Sequence, residues 1–315
     1  MLLGLGVAAA LLPVLVPDQP YAVQVLTLSL CSVVPAVGLN LLFGYTGLVS
    51  LGHMGFAGVG AYAAALLMKQ AGWGFLPALV AGAGMAGIVG LLVGIPCLRL
   101  RSHFFIIVTL AVGLILGTLF NNLDWLTGGA EGLPGVPRPR PLVIGELRIV
   151  LGTAVGFYWM AVAVTVAAFV VQWAVVRSPF GKSLAAIRQD EAMAAARGVN
   201  VFAHKLAVFA LSAAIAGAGG ALRACFLRVA APSSFDLGES INLVAVVILG
   251  GAGFQAGPAV GSLVFVALPE VLRVASQARL MVFGALLVVM ALYSPRGLLG
   301  AAVALRRRMR RADAV

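Results

Sequence analysis

Long runs of apolar residues, separated by short polar stretches, dominate this chain. No Asp, Glu, Lys or Arg occurs between Asp18 and Lys69, and residues 70–98, 149–176 and 241–269 are equally free of charge. Each run exceeds the ~20 residues that a helix needs to cross a bilayer. The alternation of apolar and polar positions that is typical of a transmembrane strand does not occur. The pattern therefore predicts an all-α, polytopic integral membrane protein.

The apolar runs predict about ten membrane segments, including broken or re-entrant helices, within a single transmembrane domain of residues 1–315. We expect the first segment to be retained, because the N-terminus lacks the basic n-region of a signal peptide, although cleavage remains an alternative. An even number of spans places both termini on one side. The predicted segments are 2–16, 22–43, 51–68, 76–97, 104–120, 149–176, 206–227, 241–250, 258–272 and 280–300.

Charge gives this topology a direction. Hydrophobic residues make up 62% of the chain and charged residues 10%, against about 25% charged in soluble domains. The net charge is +11, and 11 of the 21 basic residues lie in the loop 99–103, in the segment 178–205 and in the tail 304–315. All three fall on one side, and basic flanks indicate the cytoplasm. The tail could bind anionic membrane lipid, nucleic acid is not indicated, and the Gly- and Pro-rich loop 121–148 becomes external and irregular.

The segment 178–205 is charge-rich yet has the pattern of a helix. Ser178 suits the N-cap, Pro179 the first turn, and Gly198 the position at which the helix stops. An amphipathic stripe runs along it, formed by Phe180, Leu184 and Ile187. Such a helix could lie on lipid headgroups, serve as a solvated connector, or present a face to a soluble partner. We favour the partner.

Two Gly-rich stretches, 38–62 and 248–262, break the helical pattern inside the membrane. Backbone groups freed in this way must be buried in protein or line a wet cavity, and paired broken segments often mark a translocation path. The predicted path residues are Asn40, Tyr45, Thr46, Ser50, His53, Asn242 and Gln255. His53 could instead pack helices through a hydrogen bond to a neighbouring span, which is the slightly favoured interpretation.

Other residue types indicate little chemistry. Cys31, Cys97 and Cys225 lack metal-ligand spacing and are expected in the core, so no metal site is predicted. The glycines lack the Lys of a phosphate loop, so we expect no nucleotide or other cofactor on this chain. The sequence offers no nucleophile with a matching base, so an enzyme is not predicted. Arg223 and Arg228 lie near an outer span end, where we expect them to extend to the interface rather than line an exit.

Ordered motifs extend over nearly the whole sequence. They are GLNLLFGYTGLVSLGHMGFAGVGAY at 38–62, TGGAEGL at 127–133, SPFGKSLAAIRQDEAMAAARGVN at 178–200, KLAVFALSAAIAGAGGAL at 205–222, INLVAVVILGGAGFQAGPAVGSLVFVALPEVLR at 241–273 and SPRGLLG at 294–300. Together they resemble the permease subunits of branched-chain amino acid ABC importers, of the LivM type. This resemblance implies a non-catalytic subunit of the bacterial cytoplasmic membrane that moves leucine, isoleucine and valine inward.

The same resemblance implies partners. They are two cytoplasmic ABC ATPases that use ATP, a related second permease subunit, and a periplasmic or lipoprotein substrate-binding protein. The segment 178–205 would dock on an ATPase, with coupling roles for Arg188, Asp190, Glu191 and Gly198. Permeases for urea and short amides are also related, so such a substrate is an alternative. An ion-coupled carrier is a further alternative, although the long runs lack the intramembrane acidic residues that it would need.

Overall fold

The structure is a computed structural model that describes residues 20–99, 102–144, 147–149, 151–271, 284 and 297–301. Its helices are α1 (Pro20–Leu39), α2 (His53–Gln70), α3 (Phe75–Cys97), α4 (Ser102–Asn122), α5 (Asp124–Thr127), α6 (Ala154–Arg177), α7 (Pro179–Gln189), α8 (Glu191–Ala196), α9 (Val201–Leu227), α10 (Leu237–Gly250) and α11 (Gly257–Val271). Four short strands form two antiparallel pairs, β1 (Leu133–Pro134) with β4 (Val229–Ala230) and β2 (Leu142–Ile144) with β3 (Leu147–Ile149).

The all-α, polytopic character of the protein is confirmed. Six described helices are long and apolar enough to cross a membrane: Tyr21–Gly44, Phe75–Cys97, Phe104–Asn122, Ala154–Arg177, Val201–Leu227 and Pro232–Gly250. Helices α2 and α11 match two more of the predicted segments. Segment 2–16, most of segment 280–300 and the tail 304–315 lie outside the described residues. The count of ten and the cytoplasmic termini therefore stay predictions.

The predicted start of the segment 149–176 is wrong. The apolar run predicts a span from residue 149, but the helix α6 begins only at Ala154, and residues 147–149 belong to β3. The Thr153 side chain caps the helix by accepting a hydrogen bond from the Gly156 amide at 3.1 Å. A short apolar stretch suits a strand as well as a helix, so hydropathy alone does not locate this start.

Helix α9 is the centre of the bundle and packs against α1, α2 and α3. Glycines bring these backbones together. A Cβ on Gly60 would collide with the Gly217 backbone, and one on Gly220 would collide with the Ala57 carbonyl. A Cβ on Gly82 would lie 2.5 Å from the Gly60 carbonyl oxygen. Small residues are the usual means of close helix packing in membranes, and the glycines of the 52–60 stretch serve that purpose here.

The loop 121–148 is more ordered than its composition predicts. It contains the single turn α5, and its strand β1 pairs with β4 directly after α9. The Lys69 ammonium, at the end of α2, donates a hydrogen bond to the Pro134 carbonyl at 3.0 Å. The expectation of irregular chain throughout is therefore wrong, because non-local backbone pairing gives part of the loop a fixed conformation.

Both predicted breaks in the helical pattern are present. Helix α1 continues into a single π-helical turn at Asn40–Gly44, and residues 45–52 then lead to α2. Helix α10 ends at Gly250, and α11 begins at Gly257 and packs back against both α10 and α1. The connecting turn contains Gly251 and Gly253 with φ of 112° and 85°, a backbone region that glycine adopts without the strain of a side chain.

Candidate functional site

The two broken segments meet at Asn40, a fully buried residue of the π-helical turn. Its amide nitrogen Nδ2 donates a hydrogen bond to the Phe254 carbonyl at 3.1 Å, and its Oδ1 accepts one from the Gly253 amide at 2.9 Å. One side chain thus satisfies a backbone donor and a backbone acceptor of the turn between α10 and α11. Unpaired backbone groups are costly away from water, so Asn40 stabilises this non-helical turn within the bundle.

Glycines make this junction of the broken segments possible. A Cβ on Gly44 would lie 2.5 Å from both Asn40 Oδ1 and the Gly253 nitrogen. A Cβ on Gly253 would lie 3.0 Å from the Gly44 carbonyl oxygen. Since real Cβ contacts at such distances require a neighbour to shift, either side chain would push the two turns apart. We call Asn40, Gly44, Gly253 and Phe254 the junction.

The segment 178–205 begins as predicted and then departs from the prediction. Ser178 caps α7 by accepting a hydrogen bond from the Gly181 amide at 3.2 Å, and the predicted apolar stripe buries Leu184 and Ile187. A single helix up to Gly198 is wrong, because the chain is extended at Asp190. The Asp190 carboxylate accepts a hydrogen bond from the Met193 amide at 3.0 Å and starts a second helix, α8.

Arg188 connects this segment to the junction. It lies in the last turn of α7, and its guanidinium Nη1 donates a hydrogen bond to the Gly44 carbonyl. The same nitrogen would lie 3.1 Å from a Cβ placed on Gly253. The predicted coupling residue thus contacts one of the broken segments and lies beside the other.

The remaining predicted coupling residues lie away from the junction, on α8 and its ends. Glu191 forms an ion pair with Lys205 at 2.5 Å, which ties α8 to the first turns of α9. Gly198 adopts a φ of 84° in open space, and its amide donates to the Ala195 carbonyl at 2.9 Å, which ends the helix. Met193 on α8 is 57% exposed although it is apolar. Sequence reasoning gave no role to Met193.

The predicted path residues do not form one cluster. Thr46 makes a local cap, since its hydroxyl donates to the Leu42 carbonyl at 2.6 Å. Ser50 Oγ and Gln255 Nε2 are buried without a hydrogen-bond partner among the described residues. Tyr45 and Gln255 flank the junction in sequence, whereas Asn242 lies on α10 and faces a separate cavity. A role for any of them in translocation stays a prediction.

His53 lies at the start of α2 and is fully buried. Its Nε2 is 3.4 Å from the Ser212 hydroxyl of α9, and that hydroxyl donates to the Gly38 carbonyl of α1 at 2.8 Å. This contact agrees with the helix-packing interpretation, in which the histidine joins neighbouring spans. No three His, Cys, Asp or Glu side chains come together as a potential metal site within the described ranges.

The cavity at Asn242 lies between α1, α2, α9, α10 and α11. Arg223 and Glu239 form an ion pair in its wall, with Nη1 and Oε2 3.3 Å apart. Arg223 therefore pairs within the bundle, so the expectation that it extends to the membrane interface is wrong. Glu239 was missed, although an acidic residue just before the charge-free run 241–269 was a usable signal.

Comparison with known proteins identifies the family. Residues 21–291 match the family described as the branched-chain amino acid transport system / permease component. The chain belongs to this family. It is 32% identical over 295 residues to the high-affinity branched-chain amino acid transport system permease protein LivM of Escherichia coli K12, which covers 88% of this chain and 69% of the relative.

Two further relatives agree with this family. LivM of Salmonella typhimurium LT2 is 31% identical over 299 residues, covering 88% of this chain and 70% of its own length. A probable LivM of Methanocaldococcus jannaschii is 25% identical over 235 residues, covering 68% of this chain and 66% of its own. No solved structure matches the chain. The resemblance inferred from the motifs is thus confirmed for most of the sequence.

Proposed function

We propose that this protein is the permease subunit of an ATP-driven ABC importer, which moves leucine, isoleucine and valine inward across the bacterial cytoplasmic membrane. The observation that carries the proposal is the match of residues 21–291 to the permease component family, together with LivM relatives that align over 88% of the chain. The proposal assigns the protein a translocating role without catalysis of its own.

The proposed topology has ten membrane segments with both termini in the cytoplasm. Helix α9 begins within the basic segment 178–205 and ends just before β4, which pairs with the loop 121–148. Placing the basic segment inside therefore places this loop outside, in agreement with the positive-inside tendency. The tail 304–315 would face anionic lipid on the cytoplasmic side.

The proposed partners are two cytoplasmic ABC ATPases, a related second permease subunit, and a periplasmic or lipoprotein substrate-binding protein. ATP would be bound and hydrolysed by the ATPases and not by this chain. The surface offered to an ATPase is α8, where the apolar Met193 is exposed beside Asp190. A side chain of this kind gains free energy when a partner covers it, because apolar surface leaves water.

Docking and transmission are carried by different residues of the segment. Met193 faces outward on α8, whereas Arg188 on α7 reaches the Gly44 carbonyl at the junction. A displacement of α7 by an ATPase would therefore pull on the turn that Asn40 holds to Gly253 and Phe254. We propose that loosening the junction opens the cytoplasmic end of the path, so that nucleotide binding shifts the population between two conformations.

The experiment compares two variants of the importer, coexpressed with its ATPases and second permease and reconstituted with the binding protein. Met193→Asp should abolish copurification of the ATPases, because it places a charge in the contact. Arg188→Gln should retain the ATPases and their ATP hydrolysis but strongly lower ATP-dependent leucine uptake. Ala130→Asp, which adds the same charge to the exposed external loop, is the matched control.

Three results would refute the proposal in whole or in part. Unchanged ATPase copurification and uptake in Met193→Asp and Arg188→Gln would remove the docking and transmission roles. Leucine uptake by the purified chain under an ion gradient, without ATPases, would establish the carrier alternative instead. Uptake of urea or a short amide in place of leucine by the full complex would favour the other substrate class.

A further inference from the structure

The cavity between α1, α2, α9, α10 and α11 combines one cation and one anion with apolar walls. Arg223 and Glu239 form an ion pair in the wall, and their side chains are only 17% and 34% exposed. The nearby lining includes Cys31, Met54, Asn242, Leu243, Val246 and Phe265. In its present form the cavity has room for only a few water molecules. The cavity is therefore nearly closed in this structure.

The ion pair leaves hydrogen-bonding capacity unused. Arg223 Nε is buried and has no partner among the described residues, while Nη1 makes the single contact with Glu239 at 3.3 Å. An arginine can present two parallel N–H donors to a carboxylate, and this arrangement is stronger than a single bond. A second carboxylate entering the cavity could therefore take up donors that Glu239 leaves free.

The chemistry of the walls matches a zwitterion with an apolar side chain. An α-amino acid carries a carboxylate and an ammonium group on one carbon, and both must lose water on the way through a membrane protein, at a high cost unless each finds a partner. When an amino acid enters, Arg223 can pair with its carboxylate and Glu239 with its ammonium group in place of their own ion pair. The net charge of the cavity does not change. Aliphatic and aromatic neighbours, such as Met54, Leu243 and Phe265, suit a branched hydrocarbon side chain.

We propose that Arg223 and Glu239 form a recognition site for the α-carboxylate and α-ammonium of the transported amino acid, in the outer half of the path. The site opens by partner exchange, since the arriving zwitterion replaces the ion pair that closes it. The inference rests on the proposed function, because it takes the cargo to be a branched-chain amino acid. It also gives Asn242, a residue predicted from the sequence, a place beside the bound substrate.

Cys31 is a natural reporter, because it lines the same cavity and is 1% exposed. In the assembled importer, with Cys97 and Cys225 replaced by serine, the rate of Cys31 modification is measured from the outside with two thiosulfonate reagents. One carries an anionic sulfonate and the other a cationic trimethylammonium. Both should react slowly with the parent protein, since the ion pair closes the cavity.

Removing one charge should select between the reagents. In Glu239→Gln the unpaired Arg223 should favour the anionic reagent, roughly tenfold or more over the cationic one, and in Arg223→Gln the preference should reverse. The charge swap Arg223→Glu with Glu239→Arg should restore slow modification by both. Glu131→Gln and Arg140→Gln, exposed residues of the external loop, are the matched controls and should leave both rates unchanged.

Ligand protection tests recognition itself. Leucine should slow Cys31 modification in the parent protein, and its protection should weaken in both single variants. 4-Methylpentanoate, which lacks the ammonium, should protect Glu239→Gln better than the parent protein, and 3-methylbutylamine should do so for Arg223→Gln.

Three outcomes would overturn the inference: equal acceleration of both reagents, no acceleration, or unchanged leucine protection in the single variants. If the parent complex still copurifies with the ATPases and takes up leucine, any of these three outcomes refutes the recognition site but not the proposed function. Loss of those two properties in the parent complex defeats the proposed function.

Discussion

Replacing Asn40 by Ala tests the junction most directly. The substitution removes a donor to the Phe254 carbonyl and an acceptor from the Gly253 amide, at 3.1 and 2.9 Å. Side-chain hydrogen bonds inside membrane proteins contribute roughly 0.6–1.7 kcal/mol each, so the two together stabilise the fold by about 1–3 kcal/mol. The buried backbone groups that would be left unpaired place the expected loss toward the upper end of this range.

The assay is thermal unfolding of the purified protein in detergent, followed by its monodisperse fraction after heating. At roughly 2–4 °C per kcal/mol for a chain of this size class, the Tm of Asn40→Ala should fall by about 3–10 °C. Asn121→Ala is the matched control, because Asn121 makes one bond, to the Gly117 carbonyl, at an exposed helix end. A Tm of Asn40→Ala within 1 °C of that control would refute the view that Asn40 holds the broken segments together.

Three further substitutions test neighbouring features by the same measurement. Gly253→Ala should lower the Tm by about 4–8 °C, because Gly253 combines a φ of 85° with a close approach to the Gly44 carbonyl. Gly135→Ala should lower the Tm less, because Gly135 has a φ of 76° but open surroundings. Equal effects would show that crowding at the junction is unimportant. Gly220→Ala should destabilise by about 1–3 kcal/mol, since its Cβ would collide with the Ala57 carbonyl, and Gly84→Ala, in open space on a helix, should cost nothing. Glu191→Gln should destabilise by about 1–2 kcal/mol, a value reduced by the 47% exposure of its side chain, because Lys205 stays almost buried without its carboxylate. An unaltered Tm in Glu191→Gln would indicate that the ion pair is not needed to attach α8.

Local signals in the sequence predicted local structure well. Ser178 and Pro179 located the start of α7, and the glycine-rich stretches located both breaks, because caps and glycines act on the backbone within a few residues. The turn at Asp190 was missed although an Asp that precedes a Glu is a recognisable helix start. Periodicity could not separate one helix of this segment from two.

Contacts between distant parts of the chain could not be predicted. Asn40 and Phe254 are 214 positions apart, and no property of either residue specifies the other. The position of Arg223 near a span end indicates an interfacial arginine, and only the packing of α9 and α10 brings Glu239 beside it. Hydropathy indicates which segments enter the bilayer but not which faces meet there, and that second question decides where a site forms.

The glycine contacts of α2, α3 and α9 have a mechanical consequence. Where helix backbones touch with few side chains between them, the helices have little room to slide past one another. These three helices should therefore behave as one rigid unit. The hairpin of α10 and α11 differs, since two hydrogen bonds from Asn40 hold the turn at one end and a single ion pair attaches the other end to α9. We expect this hairpin to move during the transport cycle, while α2, α3 and α9 keep their positions relative to one another.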